Sequence, residues 1–207
     1  MSFSDAVNRL KECARLTKYQ IKGALLEIAT FYSLIDIGVY PIPLHNPYDD
    51  DYARDQHLGI DIIFRHDNKT YGVECKNLNH NCEWTREWVN REVVKRFIHV
   101  QNTVPLDVKV LTTSYQPYNV PEDIWQIVIH RETTYDNINE VKLLLSKLFL
   151  SLFHQNKLNT SNISIHGYWR KGKGEYIRLK RIDEKLKKQY EIKGWDDRMV
   201  KEVDKNE

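Results

Sequence analysis

Three charged residues interrupt a predicted β-hairpin near the middle of the chain. Asp61 lies within the apolar run Ile60–Phe64, and Glu74 and Lys76 lie in the return segment Tyr71–Lys76. Because side chains alternate between the two faces of a strand, Glu74 and Lys76 project together from one face. Burying charged groups idle on a sheet is costly. Two carboxylates beside a backbone carbonyl form an oxygen site of the kind that Mg²⁺ or Mn²⁺ accepts, so the hairpin is a predicted metal site.

The position of the Glu-x-Lys triplet in the hairpin is what makes it informative. The chain contains this triplet three times, beginning at Glu74, Glu140 and Glu191. The second lies in a predicted leucine-rich helix and the third in a charged tail, whereas the first follows an aspartate on a predicted partner strand. The competing interpretation is a surface salt bridge between Lys76 and one of the two carboxylates, which would stabilise the fold by less than ~1 kcal/mol.

The segments around the hairpin predict the elements that position it. Helical periodicity of apolar residues predicts four helices, at residues 4–16, 18–36, 83–100 and 137–154. Ser4 or Asp5 is the predicted cap of the first helix. Runs of alternating and β-branched residues predict four strands, at residues 60–64, 71–76, 108–113 and 124–130. Asp67 and Asn68 are predicted to form the turn between the first two strands. An acidic loop occupies residues 45–57. This order predicts an α/β fold, a mixed central sheet flanked by helices.

The carboxy-terminal part of the chain differs in charge from the rest. Residues 1–166 carry 18 basic and 20 acidic side chains, whereas residues 167–207 carry 13 and 9. Residues 156–162 have the polar composition of a linker. We therefore predict a domain over residues 1–154, followed by a linker and a basic extension over residues 155–207.

The overall composition excludes several classes of protein. Of the 207 residues, 41% are hydrophobic and 29% are charged, which is ordinary for a folded chain and too apolar for a disordered one. Three cysteines without a Cys-x-x-Cys pair exclude a disulfide scaffold and an all-cysteine zinc site. The sequence has no apolar run near the ~20 residues of a membrane span and no signal-peptide pattern at its start. We expect a soluble, cytoplasmic protein with no membrane partner.

A fourth charged residue, Glu27, makes the pattern similar to that of a known enzyme group. It ends the motif Lys22-Gly23-Ala24-Leu25-Leu26-Glu27 and lies 34 residues before Asp61, which in turn lies 13 residues before Glu74. With these residues, the segment 17–115 resembles the PD-(D/E)xK nuclease superfamily, and its spacing is most similar to that of archaeal Holliday junction resolvases. The resemblance implies a restriction-endonuclease-like core, a Mg²⁺- or Mn²⁺-dependent DNA endonuclease, and a homodimer.

The resemblance also implies a role for each residue of the pattern. Asp61, Glu74 and the backbone carbonyl of Cys75 would hold a divalent cation that contacts the scissile phosphate and lowers the pKa of a bound water. Lys76 would orient that water or offset the charge that builds up on the phosphate oxygens. Glu27 would reach the cation through a water molecule or a second metal.

Basic residues near the hairpin and in the extension are the candidates for DNA contacts. They are Lys22, Arg91 and Lys95 beside the site, and Trp169, Arg170, Lys171 and Lys173 in the extension. A solvated charged hairpin or helix is the alternative for the extension. For Trp84 and Trp88, packing is favoured over stacking on nucleotides.

Two other functions stay open at this point. The first is a single-strand-specific nuclease of the same superfamily, which would differ only in the shape of its substrate channel. The second is a catalytically inactive nucleic-acid-binding module with the same fold. The presence of both carboxylates and the lysine argues against the inactive module.

Overall fold

The chain folds around a mixed sheet that has helices on both faces. The computed structural model describes residues 1–44, 48, 59–79, 81–157, 164–170 and 176–179. In spatial order, the strands are β1 (Ile42–Pro43), β2 (Ile62–His66), β3 (Lys69–Lys76), β4 (Val108–Thr113), β5 (Ile124–Val128), β6 (Ser164–Arg170) and β7 (Tyr176–Leu179). Strands β2 to β6 form the five-stranded body of the sheet, in which β2 runs antiparallel to β3 and the next three strands run parallel to β3.

Four helical segments pack against this sheet and divide its core in two. They are α1 (Phe3–Glu12), α2 (Lys18–Asp36), the continuous segment formed by α3 (Arg86–Val89), a π-helical turn (Asn90–Val94) and α4 (Lys95–Gln101), and finally α5 (Ile138–Lys157). Helices α1, α2 and α5 cover one face, where Leu26, Val73 and Leu148 are buried together. The α3–α4 segment covers the other face, where Val93 and Leu111 are buried. None of the described helices is long and apolar enough to span a membrane.

The first two helices begin at capping boxes. In α2 the Thr17 hydroxyl accepts a hydrogen bond from Gln20 N, and the Gln20 side chain accepts one from Thr17 N, so this helix begins as predicted. In α1 the cap is Ser2, whose hydroxyl pairs with Asp5 N while Asp5 Oδ2 accepts from Ser2 N. The prediction of a Ser4 or Asp5 cap is therefore wrong, because Ser4 and Asp5 are the second and third residues of the helix.

The β2–β3 hairpin has the predicted turn, but its first strand starts later than predicted. Asp67 and Asn68 have φ values of 48° and 61°, as a two-residue turn of this kind requires. Strand β2 starts at Ile62, and Ile60 packs on the opposite face from Ile62. A strand over the predicted residues 60–64 would place both side chains on one face, so the predicted start of this strand is wrong. The reason is space, since Ile60 Cδ1 lies 2.5 Å from the position that a Cβ on Gly72 would take.

Two predicted segments end differently in the structure. The helix predicted at 83–100 spans Arg86–Gln101 and contains the π-helical turn. Residues 155–157, assigned to a linker by composition, are the last residues of α5. Beyond them, β6 pairs in parallel with β5 and buries Ile165 in the core, so the sheet includes the start of the basic extension. The predicted acidic loop lies outside the described residues except for Tyr48.

His66, at the end of β2, makes the stability of the fold depend on pH. Its ring stacks on Phe153 of α5, with 4.0 Å between the ring centroids. Burial lowers the pKa of His66 from its usual 6.5, although the charge of Asp67 opposes this. The unfolded chain therefore takes up a proton before the folded chain does, and the stabilisation present at neutral pH is lost as the pH falls through 6.5.

We expect His66→Phe, which keeps the ring stack but cannot be protonated, to reduce this loss of stability in acid. Between about pH 7.5 and about pH 5, urea denaturation should show a smaller fall in its free energy of unfolding than in that of the wild type. Parallel pH profiles for the two proteins would contradict the assignment.

Candidate active site

A cleft of about 750 Å³ opens where the carboxyl end of β3 meets α2 and the π-helical turn. Four of the predicted site residues line it, namely Glu27, Asp61, Cys75 and Lys76. The fifth, Glu74, is completely buried and pairs with the cleft residue Lys76. The structure therefore brings together the residues that the sequence pattern singles out.

Asp61 lies directly before β2 and extends the hydrogen bonding of the hairpin. Its backbone N–H donates to Val73 O, and its carboxylate Oδ2 accepts a 2.6 Å hydrogen bond from Cys75 N. The pairing of β2 with β3 begins at Ile62 and Val73, so Asp61 lies where the regular pairing of the hairpin stops. The carboxylate is thus fixed beside the Cys75 backbone at the end of the hairpin.

The Glu74 carboxylate is shared between two cations. Its Oε1 lies 2.5 Å from Lys76 Nζ and 3.2 Å from Arg96 Nη1. Its Oε2 is buried with no hydrogen-bond partner among the described residues. Burial raises the pKa of Glu74, the positive charges of Lys76 and Arg96 oppose that shift, and the charge of Glu27 adds to it. A buried carboxylate oxygen without a partner is costly and is a candidate ligand for a further cation.

Glu27 and Cys75 are the remaining predicted metal-site residues. Glu27 projects from α2 and is almost fully buried where it lines the cleft. The Cys75 thiol lies on the α2 side, 3.6 Å from Thr30 Oγ1. Burial raises the pKa of this thiol well above its usual value, and the charge of Asp61 adds to the shift. The thiol is therefore a packing group, and the backbone carbonyl is what Cys75 can offer a metal.

The predicted DNA-contacting residues are spread over different surfaces. Lys22 lines the cleft, where it forms a 2.7 Å ion pair with Glu132 Oε2 and a hydrogen bond to Asn79 Oδ1. Arg91 and Lys95 are exposed on the helix and are not among the residues lining the cleft. The side chains of Trp169 and Arg170, in β6, are outside the described part of the structure, as are all atoms of residues 171 and 173.

The two tryptophans of the segment after the hairpin pack against each other. Trp84 is buried in the smaller core, and its ring meets that of Trp88 edge to face, with 4.9 Å between the centroids. The prediction that Trp84 is a packing residue is confirmed. Trp88 is half-buried and also lines the cleft.

Arg96 is a residue of the cleft that the sequence analysis missed. Its guanidinium is 9% exposed and bridges Glu74 Oε1 and Glu92 Oε2, each at 3.2 Å. The signal that was overlooked is the charged pair Glu92 and Arg96, four residues apart, beside the buried stripe that contains Val93 and Phe97. Such a pair next to an apolar stripe marks the helix edge that borders a core.

Asn77, directly after Lys76, is a second residue that the sequence analysis missed. Its amide nitrogen donates to Lys22 O at 2.7 Å and to Thr133 O at 2.9 Å. Its amide oxygen accepts from Thr133 N at 3.0 Å and from Ser114 Oγ at 2.6 Å. One buried side chain therefore ties the end of β3 to α2, to the end of β4 and to the loop before α5.

We expect Asn77→Ala to lower the free energy of unfolding by about 3 kcal/mol, because it removes the hydrogen bonds that this side chain makes with the buried backbone N–H and C=O groups of Thr133. Urea denaturation followed by circular dichroism measures this change. The matched control is Asn79→Ala, at an exposed position, which should change stability by less than about 0.5 kcal/mol. Equal losses in the two variants would show that Asn77 does not hold the cleft together.

The described residues contain no group of three or more His, Cys, Asp or Glu side chains placed to hold a metal ion. A metal in this cleft would therefore depend on two carboxylates, Asp61 and Glu74, and on the Cys75 carbonyl. The orphaned Oε2 of Glu74 and the all-oxygen chemistry of this set fit a hard divalent cation.

Comparison of the chain with protein-family models, with curated proteins and with solved structures found no match. What the protein does has to be inferred from the residues of the cleft.

Proposed function

We propose that the protein is a divalent-metal-dependent DNA endonuclease with a restriction-endonuclease-like core, a member of the PD-(D/E)xK nuclease superfamily that is most similar in motif spacing to Holliday junction resolvases. The observation that carries the proposal is the buried Glu74 carboxylate, one oxygen of which has no hydrogen-bond partner among the described residues. The next residue of the strand, Cys75, donates its backbone N–H to the Asp61 carboxylate. Lys76 completes the arrangement at 2.5 Å from the other oxygen.

The element that carries each motif residue supports the superfamily assignment. The signature of the superfamily places an Asp on one strand and Glu-x-Lys on the next, and here Asp61 leads into β2 while Glu74 and Lys76 lie on β3. The resolvase-like Lys-Gly-x-x-x-Glu motif lies on α2, where both Lys22 and Glu27 line the same cleft. Glu27, Glu74 and Lys76 therefore lie on the elements that the pattern requires, and Asp61 lies directly before its strand.

The donor set of the cleft fits Mg²⁺ or Mn²⁺. Asp61, Glu74 and the Cys75 carbonyl would hold the ion, since hard cations of this kind take oxygen ligands. When bound, such an ion supplies Lewis-acid polarisation of the phosphate and lowers the pKa of water. The hydrogen bond from Cys75 N to Asp61 Oδ2 orients the carboxylate for this role.

The remaining charged groups act on the phosphodiester and on the charge of the site. The Lys76 ammonium is 14% exposed at the cleft and would offset negative charge that builds up on the phosphate oxygens. Glu27 adds negative charge near Glu74, and this favours a divalent cation at the two ligands.

The salt-bridge interpretation accounts for less of the structure. Lys76 does pair with Glu74, but the pair is buried rather than on the surface. Buried ion pairs contribute little net stability, because the desolvation of both charges offsets their attraction. A stabilising role alone therefore gives no reason for placing this pair at the wall of a cleft with two further carboxylates.

Asp61→Asn and Glu74→Gln test the metal ligands, since each keeps the shape of the side chain and removes its charge. The wild type should nick supercoiled plasmid DNA with Mg²⁺ and not with EDTA, and each variant should cut at least ~10²-fold more slowly. The matched control is Glu122→Gln, an exposed carboxylate outside the cleft lining, which should cut normally. Full activity of either ligand variant in its folded form would overturn the assignment.

The substrate arms of the same assay separate the alternatives. Cleavage of a four-way junction in preference to linear duplex supports the resolvase-like substrate. Cleavage confined to single-stranded DNA would replace the proposal with the single-strand-specific nuclease. Metal-independent DNA binding with no cleavage of any substrate would replace it with the inactive binding module.

Lys76→Ala should slow the chemical step more than it weakens binding, because an ammonium beside the reacting phosphate acts mainly as charge develops. Single-turnover cleavage of bound DNA should fall by ~10²-fold, with DNA affinity within a few fold of the wild type. Lys76→Arg should restore little, since the planar guanidinium places its charge differently.

Lys95→Ala is the contrasting variant, because a lysine that contacts only the phosphate backbone should show its loss in DNA affinity. If Lys76→Ala behaved in that way and cut bound DNA at the wild-type rate, Lys76 would be a backbone contact only.

A further inference from the structure

The helix that covers the β3 end presents one continuous edge to the cleft. Trp88, Glu92 and Arg96 are four residues apart from one another, and all three line the cleft. In a regular α-helix, at 100° per residue, residues eight apart would be offset by roughly 80° around the axis. The π-helical turn Asn90–Val94 lies between Trp88 and Arg96, and its wider turn reduces this offset. Such turns are frequent at functional sites.

Arg96 lies in a buried cluster with more negative than positive charge. Burial lowers the pKa of Arg96, but the charges of Glu74, Asp61 and Glu92 outweigh this and raise it. The guanidinium therefore stays charged although its side chain is 9% exposed. It is held from two sides, with Nη1 on Glu74 Oε1 and Nη2 on Glu92 Oε2.

The two carboxylates that hold Arg96 differ in what else they can bind. Glu92 is partly exposed, and its other oxygen, Oε1, accepts a hydrogen bond from Arg91 Nε at 2.7 Å. Glu74 is the proposed metal ligand, so a cation bound there would compete with Arg96 for the same carboxylate. Glu92 would still keep the guanidinium at the cleft after its pair with Glu74 is weakened.

We propose that Arg96 binds a phosphate group of the nucleic acid, and that its ion pair with Glu74 couples this binding to the divalent cation. The inference rests on the proposed function of the cleft. A guanidinium released on one side presents parallel N–H donors, the geometry that binds a phosphate through two oxygens. Without the cation, Arg96 neutralises Glu74. With the cation, it becomes available to the phosphodiester.

This coupling has a consequence that a purely structural arginine would not produce. Arg96 and the cation compete for Glu74, so removal of the guanidinium should strengthen cation binding. Coupling between ligands is reciprocal, so the cation should strengthen nucleic-acid binding, and nucleic acid should strengthen cation binding to the same extent.

The first experiment measures Mn²⁺ binding by isothermal titration calorimetry, with no nucleic acid present. Arg96→Gln should bind Mn²⁺ about tenfold more tightly than the wild type, within the range that couplings of this kind span. The matched control is Arg86→Gln, an exposed arginine on the same helical segment, which should bind Mn²⁺ as the wild type does. Unchanged or weaker Mn²⁺ binding by folded Arg96→Gln would overturn the proposal.

The second experiment measures the binding of a fluorescent DNA oligonucleotide by anisotropy, in Ca²⁺ and in EDTA. Wild-type affinity should rise when Ca²⁺ replaces EDTA, and the affinity of Arg96→Gln should rise by a smaller factor, because only the direct contact between cation and phosphate remains. Arg96→Lys keeps a positive charge for Glu74 and is the variant to use if Arg96→Gln fails to fold. It should bind DNA in Ca²⁺ about tenfold more weakly than the wild type, because an ammonium lacks the fork of donors.

The inference would be overturned if Ca²⁺ increased the DNA affinity of Arg96→Lys by the same factor as that of the wild type. Failure of the proposed function looks different, since the wild type would then show no metal-dependent cleavage and Glu74→Gln would bind Mn²⁺ as the wild type does. If the wild type cleaves DNA but Arg96→Gln binds Mn²⁺ as the wild type does, the inference about Arg96 is wrong and the nuclease proposal is unaffected.

Discussion

The burial of the Glu74 carboxylate is the constraint on which the rest of the cleft depends. An isolated buried carboxylate would cost several kcal/mol, so the fold must supply cations beside it. Lys76 comes from the same strand, and Arg96 comes from the helix on that face of the sheet. The other oxygen of Glu74 has no hydrogen-bond partner in the part of the chain that the structure describes. Lys76 and Arg96 therefore stabilise the charged form of Glu74 without occupying both of its oxygens. A carboxylate in this state can still bind a metal ion.

The elements around Glu74 serve this arrangement. The hairpin turn sets the register of β2 against β3, and Asp61, directly before β2, accepts a hydrogen bond from the Cys75 N–H. Helix α2 brings Glu27 to the same cleft from the opposite face of the sheet. Asn77 locks the end of β3 to three other segments through hydrogen bonds that are buried or nearly so. Because the end of β3 is held from several sides, its charged residues keep their positions without a bound ligand.

Local sequence patterns predicted much of the fold and of the site. The features that they did not predict depend on contacts between separate segments. The Asp67–Asn68 turn and helix α2 follow from turn chemistry and from apolar periodicity. Glu27, Glu74 and Lys76 therefore lie on the predicted elements, whereas Asp61 lies directly before β2 rather than within it. The face of the sheet on which Ile60 lies was not predicted, because it depends on the space above Gly72 on another strand. Arg96 was missed for a similar reason, since its place in the cleft depends on a π-helical turn and on a carboxylate 22 residues away in the sequence. The spacing of Glu92 and Arg96 marks the edge of a helix, but it does not show that Arg96 meets a carboxylate on the neighbouring sheet.

The central claim is that a divalent cation binds between Asp61 and Glu74. The most direct measurement is anomalous diffraction from crystals of the wild-type protein soaked in Mn²⁺. One anomalous peak is expected in the cleft, within coordination distance of the carboxylate oxygens of Asp61 and Glu74 and of the Cys75 carbonyl, with Arg96 displaced from Glu74. Absence of a peak there at saturating Mn²⁺, with Lys76 and Arg96 still paired to Glu74, would contradict the claim.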